Sequence, residues 1–286
     1  MVTEHLQEYH SQPPNMTAPL LPLIVEPEEL ERLLGQEPIL IVDLCKPEVY
    51  AQSHVPGAVH LDYAQIVAMN KPVMGLLPQD GQLNEVFSSI GLTPGHHAVA
   101  YDDEGGGRAS RLLWTLEAMG HSHFSLLNGG LHAWTLEQRP LKSETETRTR
   151  SQYRVQRNGS VITDKAYILK HLGDPATALL DARSVDEYRG SKRFAERGGH
   201  IPGAVNLDWM QTMDRDRGLR FKPVEELRAM LALLGVTPDK EVVCYCQSHH
   251  RSAHSCIMLK SLGYARVRGY PGSWSDWGNS PDTPVE

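Results

Sequence analysis

The sequence predicts an α/β protein made of two similar domains, each with a mostly parallel sheet flanked by helices. Short apolar runs of strand length alternate with amphipathic segments of helix length, which is typical of parallel sheets covered on both faces. The same motifs occur twice in the same order, which indicates a duplicated domain of about 120 residues, a common domain size. The chain has 286 residues, 40% of them hydrophobic, which is enough for two cores.

Composition excludes several classes of function. A net charge of −7 and an aromatic content of 7% argue against a nucleic-acid partner. No apolar run reaches the roughly 18 residues of a membrane helix, and the polar, acidic start does not resemble a secretory signal. The cysteines are too few for a disulfide scaffold and are not spaced as zinc ligands: Cys45, Cys244, Cys246 and Cys256. We therefore expect a cytoplasmic protein with no metal and no nucleic-acid or membrane partner.

The repeat sets the domain boundaries. The matching pairs are the Asp-to-Tyr segments 43–50 and 181–188, the His-x-Pro-Gly-Ala segments 54–58 and 200–204, the Arg-terminated loops 102–108 and 246–251, and the Trp-terminated segments 127–134 and 270–277. We expect one domain over residues 21–138 and a second over 159–286. Residues 139–158 are charged and rich in Thr and Ser, as an exposed linker is, and residues 1–20 form a polar extension, either disordered or lying along the surface.

The second copy can be divided into elements in chain order. Residues 178–181 predict a buried strand, and 223–235 predict a helix with Pro at its start and Gly at its end. Residues 241–246 predict a second strand, and 251–262 predict a helix that ends at Gly263. Ligands of parallel sheets bind beyond the carboxyl ends of the strands, so Cys246 is predicted to lie at the ligand-binding edge.

The segment from Cys246 to Arg251 carries the predicted chemistry. A cysteine is nucleophilic as its thiolate, and backbone N–H groups of a loop at a helix N-terminus stabilise that anion. Arg251 is expected to brace the loop or to pair with Asp181 or Glu187. The other three cysteines are expected to be ordinary buried thiols.

Two histidines and a basic segment near this loop have an open role. His249 and His250 are predicted to be partly protonated at the loop mouth, where they would attract small anions. Residues 189–200 carry four cations, including Arg189, and form either a solvated loop or a rim that steers an anionic substrate toward Cys246. In the first copy, residues 102–108 are acidic and lack a cysteine, which predicts an inactive copy that supports the second rather than a metal site.

These motifs resemble those of a known family. Tyr50 with the His54-Val-Pro-Gly-Ala run resembles the N-terminal rhodanese signature, and residues 270–277 resemble the C-terminal one. Cys246 to Arg251 resembles the rhodanese active-site loop. Both halves thus resemble rhodanese domains, and residues 22–286 resemble a bacterial tandem-domain rhodanese (thiosulfate:cyanide sulfurtransferase) with an inactive first domain.

The resemblance implies an activity and a set of site residues. Cys246 would be the nucleophile that takes the outer sulfur of thiosulfate as a persulfide and passes it to cyanide or a thiol, with no cofactor. Around the nucleophile we expect two groups of residues: substrate-binding Gln247, Ser248, His249, His250, Arg251 and Arg189, and supporting Asp181 and Glu187.

Three alternatives stay open. Residues 247–250 match neither the basic loop of thiosulfate-using relatives nor the small-residue loop of mercaptopyruvate-using ones, so a 3-mercaptopyruvate sulfurtransferase is one alternative. A non-catalytic persulfide carrier that delivers sulfur to partner proteins is another. A cysteine phosphatase is disfavoured, because such loops have five residues between Cys and Arg, whereas four lie between Cys246 and Arg251.

Overall fold

The computed structural model describes residues 20–286, so the predicted extension over residues 1–20 lies outside it except for its last residue. Two parallel sheets with flanking helices follow one another along the chain, in agreement with the predicted fold class. Within the described residues, no helix is both long and apolar enough to cross a membrane.

The first domain contains a five-stranded parallel sheet and a two-stranded antiparallel hairpin. Its strands are β1 (Ile24–Val25), β2 (Ile39–Asp43), β3 (Val59–His60), β4 (Ala68–Asn70), β5 (Val73–Leu76), β6 (His97–Tyr101) and β7 (Phe124–Leu127). The sheet order is β1-β7-β6-β2-β3, and β4 pairs with β5. The central strands β2 and β6 are buried along their whole length, as apolar runs between two helical layers should be.

The second domain repeats this plan with a four-stranded parallel sheet and another hairpin. Its strands are β8 (Thr177–Asp181), β9 (Val205–Asn206), β10 (Met213–Asp214), β11 (Arg220–Phe221), β12 (Glu241–Tyr245) and β13 (Val267–Gly269). The sheet order is β13-β12-β8-β9. An isolated parallel bridge between Ile162 and Gly269 extends this sheet at the position that β1 occupies in the first domain.

Within residues 20–286, ten α-helices connect and cover the sheets. They are α1 (Pro27–Glu31), α2 (Pro47–Gln52), α3 (Asp80–Ser89), α4 (Gly107–Ala118), α5 (Gly130–Leu136), α6 (Lys165–Lys170), α7 (Val185–Tyr188), α8 (Val224–Leu233), α9 (Arg251–Ser261) and α10 (Ser273–Trp277). Short 3₁₀ helices lie at Tyr63–Ile66, Gly159–Val161 and Trp209–Thr212. The helices predicted over 223–235 and 251–262 correspond to α8 and α9. Pro223 precedes α8 rather than beginning it.

The two domains share an apolar interface in which α4 of the first packs against α9 of the second. One hydrophobic cluster contains buried side chains of both domains, among them Leu113 and Ile257. An ion pair between Lys260 and Glu117, at 2.7 Å, crosses the same boundary. Helix α4 begins at the end of loop 102–108, and α9 begins at the end of the matching loop 246–251. The packing of α4 against α9 therefore brings these two loops together.

Residues 139–158 run along the first domain. The backbone of Lys142 pairs with that of His54, and the ring of Tyr153 is buried against Phe87. Apart from the buried Tyr153, the residues of this segment are exposed or half-buried.

Candidate active site

Cys246 lies directly after β12, at the carboxyl edge of the second sheet. Residues 247–250 then form a short loop, and α9 begins at Arg251. We call residues 246–251 the active-site loop. Cys246 is 1% exposed and packs against the apolar side chains of Ala182, Trp209 and Met213. The thiol is thus buried between these apolar side chains and the polar loop.

Backbone carbonyls at the start of the active-site loop are held by donors in α10. The N–H of Trp274 donates to the carbonyl of Cys246 at 2.9 Å, and that of Ser275 donates to the carbonyl of Gln247 at 3.0 Å. In a planar trans peptide unit the C=O and the following N–H point in opposite directions. The N–H groups of Gln247 and Ser248 therefore point away from α10, and that of Ser248 hydrogen-bonds the Cys246 sulfur.

Ser273, which sequence reasoning missed, fixes the loop from within. Its Oγ accepts hydrogen bonds from the N–H groups of Cys246 at 3.2 Å and His249 at 3.1 Å, and it donates to the carbonyl of Tyr270 at 2.7 Å. Ser273 and His249 both adopt positive φ, 49° and 54°, which is costly for residues with a Cβ. The hydrogen bonds around Ser273 offset that cost and hold the loop in one shape.

Arg251 pairs with Glu187, one of its two predicted partners. Its Nη1 and Nη2 donate to the two carboxylate oxygens at 2.7 and 2.8 Å. Burial raises the pKa of Glu187, but the hydrogen bonds and charge of Arg251 outweigh burial and lower that pKa to about 2. Asp181, the other candidate, instead pairs with Arg183 at 2.6 Å, and both side chains are buried. Asp181 therefore supports the loop that follows β8 rather than Arg251.

The local charges favour ionisation of Cys246. Burial raises the pKa of the thiol, but the positive charge of Arg251 and hydrogen bonds from Ser252 and Ser248 outweigh it, so the pKa is lowered to about 7. The Ser252 hydroxyl lies 3.4 Å from the sulfur. A substantial fraction of the thiol is therefore ionised at neutral pH, which is what a nucleophilic cysteine requires.

The prediction of a partly protonated His249 at the loop mouth is wrong. His249 is 0% exposed, and burial, with the nearby charge of Arg111, holds its pKa well below the usual range. Its Nδ1 lies 2.8 Å from the Ser252 Oγ. Since the single proton of that hydroxyl points at the Cys246 sulfur, the neutral imidazole must donate from Nδ1. His249 thus orients Ser252 and does not attract anions.

His250 faces the first domain. Its Nε2 hydrogen-bonds the carboxylate of Glu104, and its ring lies 5.6 Å from that of Tyr63 and 5.7 Å from that of Trp209. Burial raises the pKa of Glu104, whereas the bond and charge of His250 lower it, and the net shift is downward. The adjacent carboxylate opposes the predicted attraction of anions by His250.

The remaining predicted site residues surround the loop without converging on the sulfur. The Gln247 side-chain amide donates to the carbonyl of Phe194 at 3.0 Å, which ties the active-site loop to the basic segment 189–200. Arg189 in that segment is exposed. Arg197 instead donates to carbonyls near the C-terminus, including that of Trp277 at 2.8 Å, and so anchors that segment rather than forming part of a rim.

The other three cysteines are buried and free. Burial raises the pKa of the Cys45 and Cys244 thiols far above the usual range, and the negative charge of Asp43 adds to the effect at Cys45. No cation offsets burial at Cys45, and the charge of Lys260 is too weak to do so at Cys244, so of Cys45, Cys244 and Cys246 only Cys246 combines burial with a lowered pKa.

Residues 26–137 and 164–280 each match a family model described as a rhodanese-like domain. The chain belongs to the rhodanese-like family. The resemblance inferred from the motifs is thereby confirmed, and so is the presence of two such domains.

Full-length relatives give the same result. The chain is 44% identical to a thiosulfate sulfurtransferase of Azotobacter vinelandii, over 93% of this chain and 97% of the relative. It is 42% identical to a thiosulfate sulfurtransferase of Pseudomonas aeruginosa over the same shares of the two chains. It is also 34% identical to the sulfur carrier protein TtuD of Thermus thermophilus, over 83% of this chain and 86% of the relative.

Solved structures share the fold at low sequence identity. An EanB variant in complex with ergothioneine superposes with a TM-score of 0.83 at 22% identity, covering 92% of this chain and 70% of the other. YnjE superposes with a TM-score of 0.82 at 19% identity, covering 92% and 68%.

The first rhodanese-like domain carries a carboxylate where the second carries its thiol. Asp102 follows β6 as Cys246 follows β12, and its carboxylate accepts hydrogen bonds from the backbone N–H groups of Glu104 at 3.0 Å, Gly106 at 2.8 Å and Ala109 at 2.9 Å. The side chain of Asp102 thus accepts the hydrogen bonds that the N–H groups of this loop could otherwise donate to a bound anion. The repeat alignment, which places Asp102 opposite Cys246, was the signal that could have predicted this arrangement.

The first rhodanese-like domain also contacts the active-site loop of the second. Arg111 on α4 donates to the carbonyls of Ser248 at 3.4 Å and His249 at 3.3 Å. Gly75 on β5 lies so close that an added Cβ would overlap the carbonyl of Ser248. Sequence reasoning missed both residues. An arginine inside the apolar run of α4 was the available signal for a buried charge.

Proposed function

We propose that the protein is a thiosulfate sulfurtransferase that carries the transferred sulfur as a persulfide of Cys246. The observation that carries the proposal is the thiol at the end of β12, whose pKa is lowered to about 7 by Arg251 and loop hydrogen bonds in spite of its burial. The names of the Azotobacter and Pseudomonas relatives support thiosulfate as the donor.

In the first step, the Cys246 thiolate attacks the outer sulfur of thiosulfate. A bond forms between the Cys246 Sγ and that sulfur, the sulfur–sulfur bond of thiosulfate breaks, and its electron pair leaves with sulfite. The product is a cysteine persulfide anion. Loop N–H groups and the charge of Arg251 stabilise this anion as they stabilise the thiolate.

In the second step, cyanide or a thiol acceptor attacks the outer sulfur of the persulfide. Attack by cyanide forms a carbon–sulfur bond, releases thiocyanate and returns the electron pair to Cys246 as thiolate. Because one product leaves before the second substrate reacts, the kinetics should be ping-pong. No step requires a metal or an organic cofactor.

Thiosulfate with cyanide is the direct test. Thiocyanate should form over many turnovers, and intact mass after thiosulfate alone should show one added sulfur on the peptide that contains Cys246. Cys246→Ser should abolish both results, whereas Cys45→Ser, Cys244→Ser and Cys256→Ser should retain most activity. Substantial transfer by the Cys246→Ser variant would refute the assignment.

A second candidate is a persulfide carrier that delivers sulfur to partner proteins, which the sulfur carrier relative from Thermus thermophilus favours. The discriminating quantity is turnover number. If Cys246 accepts one sulfur but thiocyanate never exceeds one equivalent per chain, the carrier is the better description.

We also propose that the protein works in the cytoplasm. All four cysteines are free, and a catalytic thiol needs a reducing compartment to remain available. Fractionation of the native cells with detection of the chain tests this location, and recovery with an extracytoplasmic fraction would contradict it.

A further inference from the structure

Arg111 is a buried arginine of the first domain that binds four backbone carbonyls. Its Nη2 donates to the carbonyls of Gly75 at 2.8 Å and Leu76 at 3.2 Å, and its Nη1 donates to those of His249 at 3.3 Å and Ser248 at 3.4 Å. One planar guanidinium thus connects β5 of the first domain with the active-site loop of the second. The side chain is 0% exposed, so water does not compete for these bonds.

This guanidinium has no carboxylate to balance its charge. Among residues 20–286 no acidic side chain forms an ion pair with Arg111, and its Nε has no hydrogen-bond partner. The ring of Trp114 lies 5.3 Å away, which provides a cation–π contact. A buried charge with so little compensation is costly, so a function for it is expected.

The ionisable groups that face Arg111 belong to the active site. They are the thiol of Cys246, the hydroxyl of Tyr63 and the imidazole of His249, which is held neutral. The negative forms of Cys246 and Tyr63 favour the charged guanidinium. The pKa of Tyr63 is raised to about 12, chiefly by burial, so its hydroxyl is neutral at physiological pH. Arg251, the other cation near the sulfur, is already paired with Glu187. The anion available to Arg111 is therefore Cys246 as thiolate.

Arg111 also determines which way the middle of the loop points. It holds the carbonyls of Ser248 and His249, while α10 holds those of Cys246 and Gln247. All four successive carbonyls are thus bound by groups outside the loop. The N–H of His250 consequently points away from Arg111, on the opposite face of the loop.

We propose that Arg111 is a positioning residue that acts across the domain boundary: it fixes the active-site loop through its carbonyls and supplies positive charge that favours an anionic sulfur at Cys246. The same charge would favour the persulfide anion at Cys246, and this second effect rests on the proposed function. The first domain, whose matching loop 102–108 has no cysteine, would thus contribute a charged group to the chemistry of the second.

The test measures the ionisation of Cys246 without turnover. In a full-length background with Cys246 as its one cysteine, the rate of alkylation by iodoacetamide is measured against pH for the parent, Arg111→Gln, Arg111→Lys and Leu116→Ala. Leu116 is a buried residue of the same helix that lies outside the active site, so its variant controls for a general loss of stability. Circular dichroism establishes that each variant is folded.

Arg111→Gln should raise the pH midpoint of alkylation by about one unit, because it removes a nearby opposite charge and the carbonyl bonds. Arg111→Lys should raise it by less, since one ammonium keeps the charge but cannot span both pairs of carbonyls. Leu116→Ala should have a lower melting temperature than the parent but the same pH midpoint of alkylation.

An unchanged midpoint in folded Arg111→Gln would overturn the proposal, as would an equal shift in Leu116→Ala. If Arg111→Gln does not fold, the test uses Arg111→Lys instead. An unchanged pH midpoint of alkylation in Arg111→Lys would then contradict the proposal. A parent chain that makes no thiocyanate would defeat the proposed function and leave this measurement valid.

Discussion

The carboxylate of Glu187 receives both terminal nitrogens of Arg251, at 2.7 and 2.8 Å, in a bidentate pair at the first turn of α9. The pair fixes the direction of the guanidinium that lowers the pKa of Cys246. Glu187 is 4% exposed, so it is a structural partner of the cation rather than a group that meets substrate.

Replacing Glu187 should therefore change the dependence of stability on pH. Its pKa in the folded protein, about 2, lies below its unfolded value, so its stabilisation is complete above that unfolded value and is lost as pH falls toward 2. Glu187→Gln should reduce the free energy of unfolding by about 3 kcal/mol at pH 7. Urea unfolding of both proteins at pH 7 and at pH 3 should show this difference shrinking in acid. A difference that stays constant with pH would contradict the ion pair.

The reactivity of Cys246 should follow its lowered pKa. The thiolate predominates above pH 7, so the rate of alkylation by iodoacetamide should rise through pH 7 and level off above it. Arg251→Gln should move this midpoint upward, toward the usual cysteine value of about 8.5. Peptide mapping identifies the alkylated cysteine. A midpoint near 8.5 in the unmodified chain would mean that burial outweighs the charge of Arg251.

Ser252 should affect the thiolate directly. Its hydroxyl hydrogen-bonds the sulfur, and a hydrogen bond to a charged group contributes about 1.5 kcal/mol or more. Ser252→Ala should raise the pKa of Cys246 and lower kcat/KM for thiosulfate at pH 7 by about tenfold. Ser255→Ala, at another buried serine of α9, is the matched control and should keep the parent value. Equal losses in the two variants would point to a general effect on the helix.

Replacing Gly75 or Gly57 by alanine distinguishes the effect of backbone strain from the effect of a close contact. Both have positive φ, 75° and 80°, so replacing either by Ala should cost about 1 kcal/mol of stability from strain. At Gly57 no atom lies within 4 Å of an added Cβ, whereas at Gly75 the Cβ would overlap the Ser248 carbonyl. Gly75→Ala should therefore cost about 3 kcal/mol and reduce sulfur transfer per folded molecule. Gly57→Ala should keep transfer unchanged. Chemical unfolding and the thiocyanate assay measure both effects, and equal losses would remove the contact from the explanation.

Local sequence was sufficient for the parts of the site that lie close together along the chain. A strand, a cysteine, a short loop and a helix can be predicted from residues 241–262 because propensity, pattern and spacing agree there. For Arg251 the sequence left two roles open, bracing the loop or pairing with a carboxylate such as Asp181, which ends β8, or Glu187, which lies shortly after it. Choosing Glu187 over Asp181 required the structure, because Arg183, which occupies Asp181, had not been recognised as its partner.

The contributions of the first domain could not be predicted. Arg111 and Gly75 contact residues more than 130 positions away in sequence, and these contacts depend on how α4 packs against α9. The error about His249 has a related cause. A polar run suggests an exposed loop, but here the ring is covered by Trp114 of the other domain, at a centroid distance of 4.2 Å. Burial by a distant segment leaves no local pattern in the sequence.

The carboxylate of Asp102 binds the N–H groups of its own loop, and this has a consequence for a domain without a cysteine at this position. Converging N–H dipoles require a negative partner whether or not any reaction takes place there. An aspartate in the nucleophile's place supplies oxygens of the chain itself that accept these hydrogen bonds. This loop can therefore keep its hydrogen bonds without a cysteine or a bound anion, and the same domain contributes Arg111 and Gly75 to the active-site loop of the other.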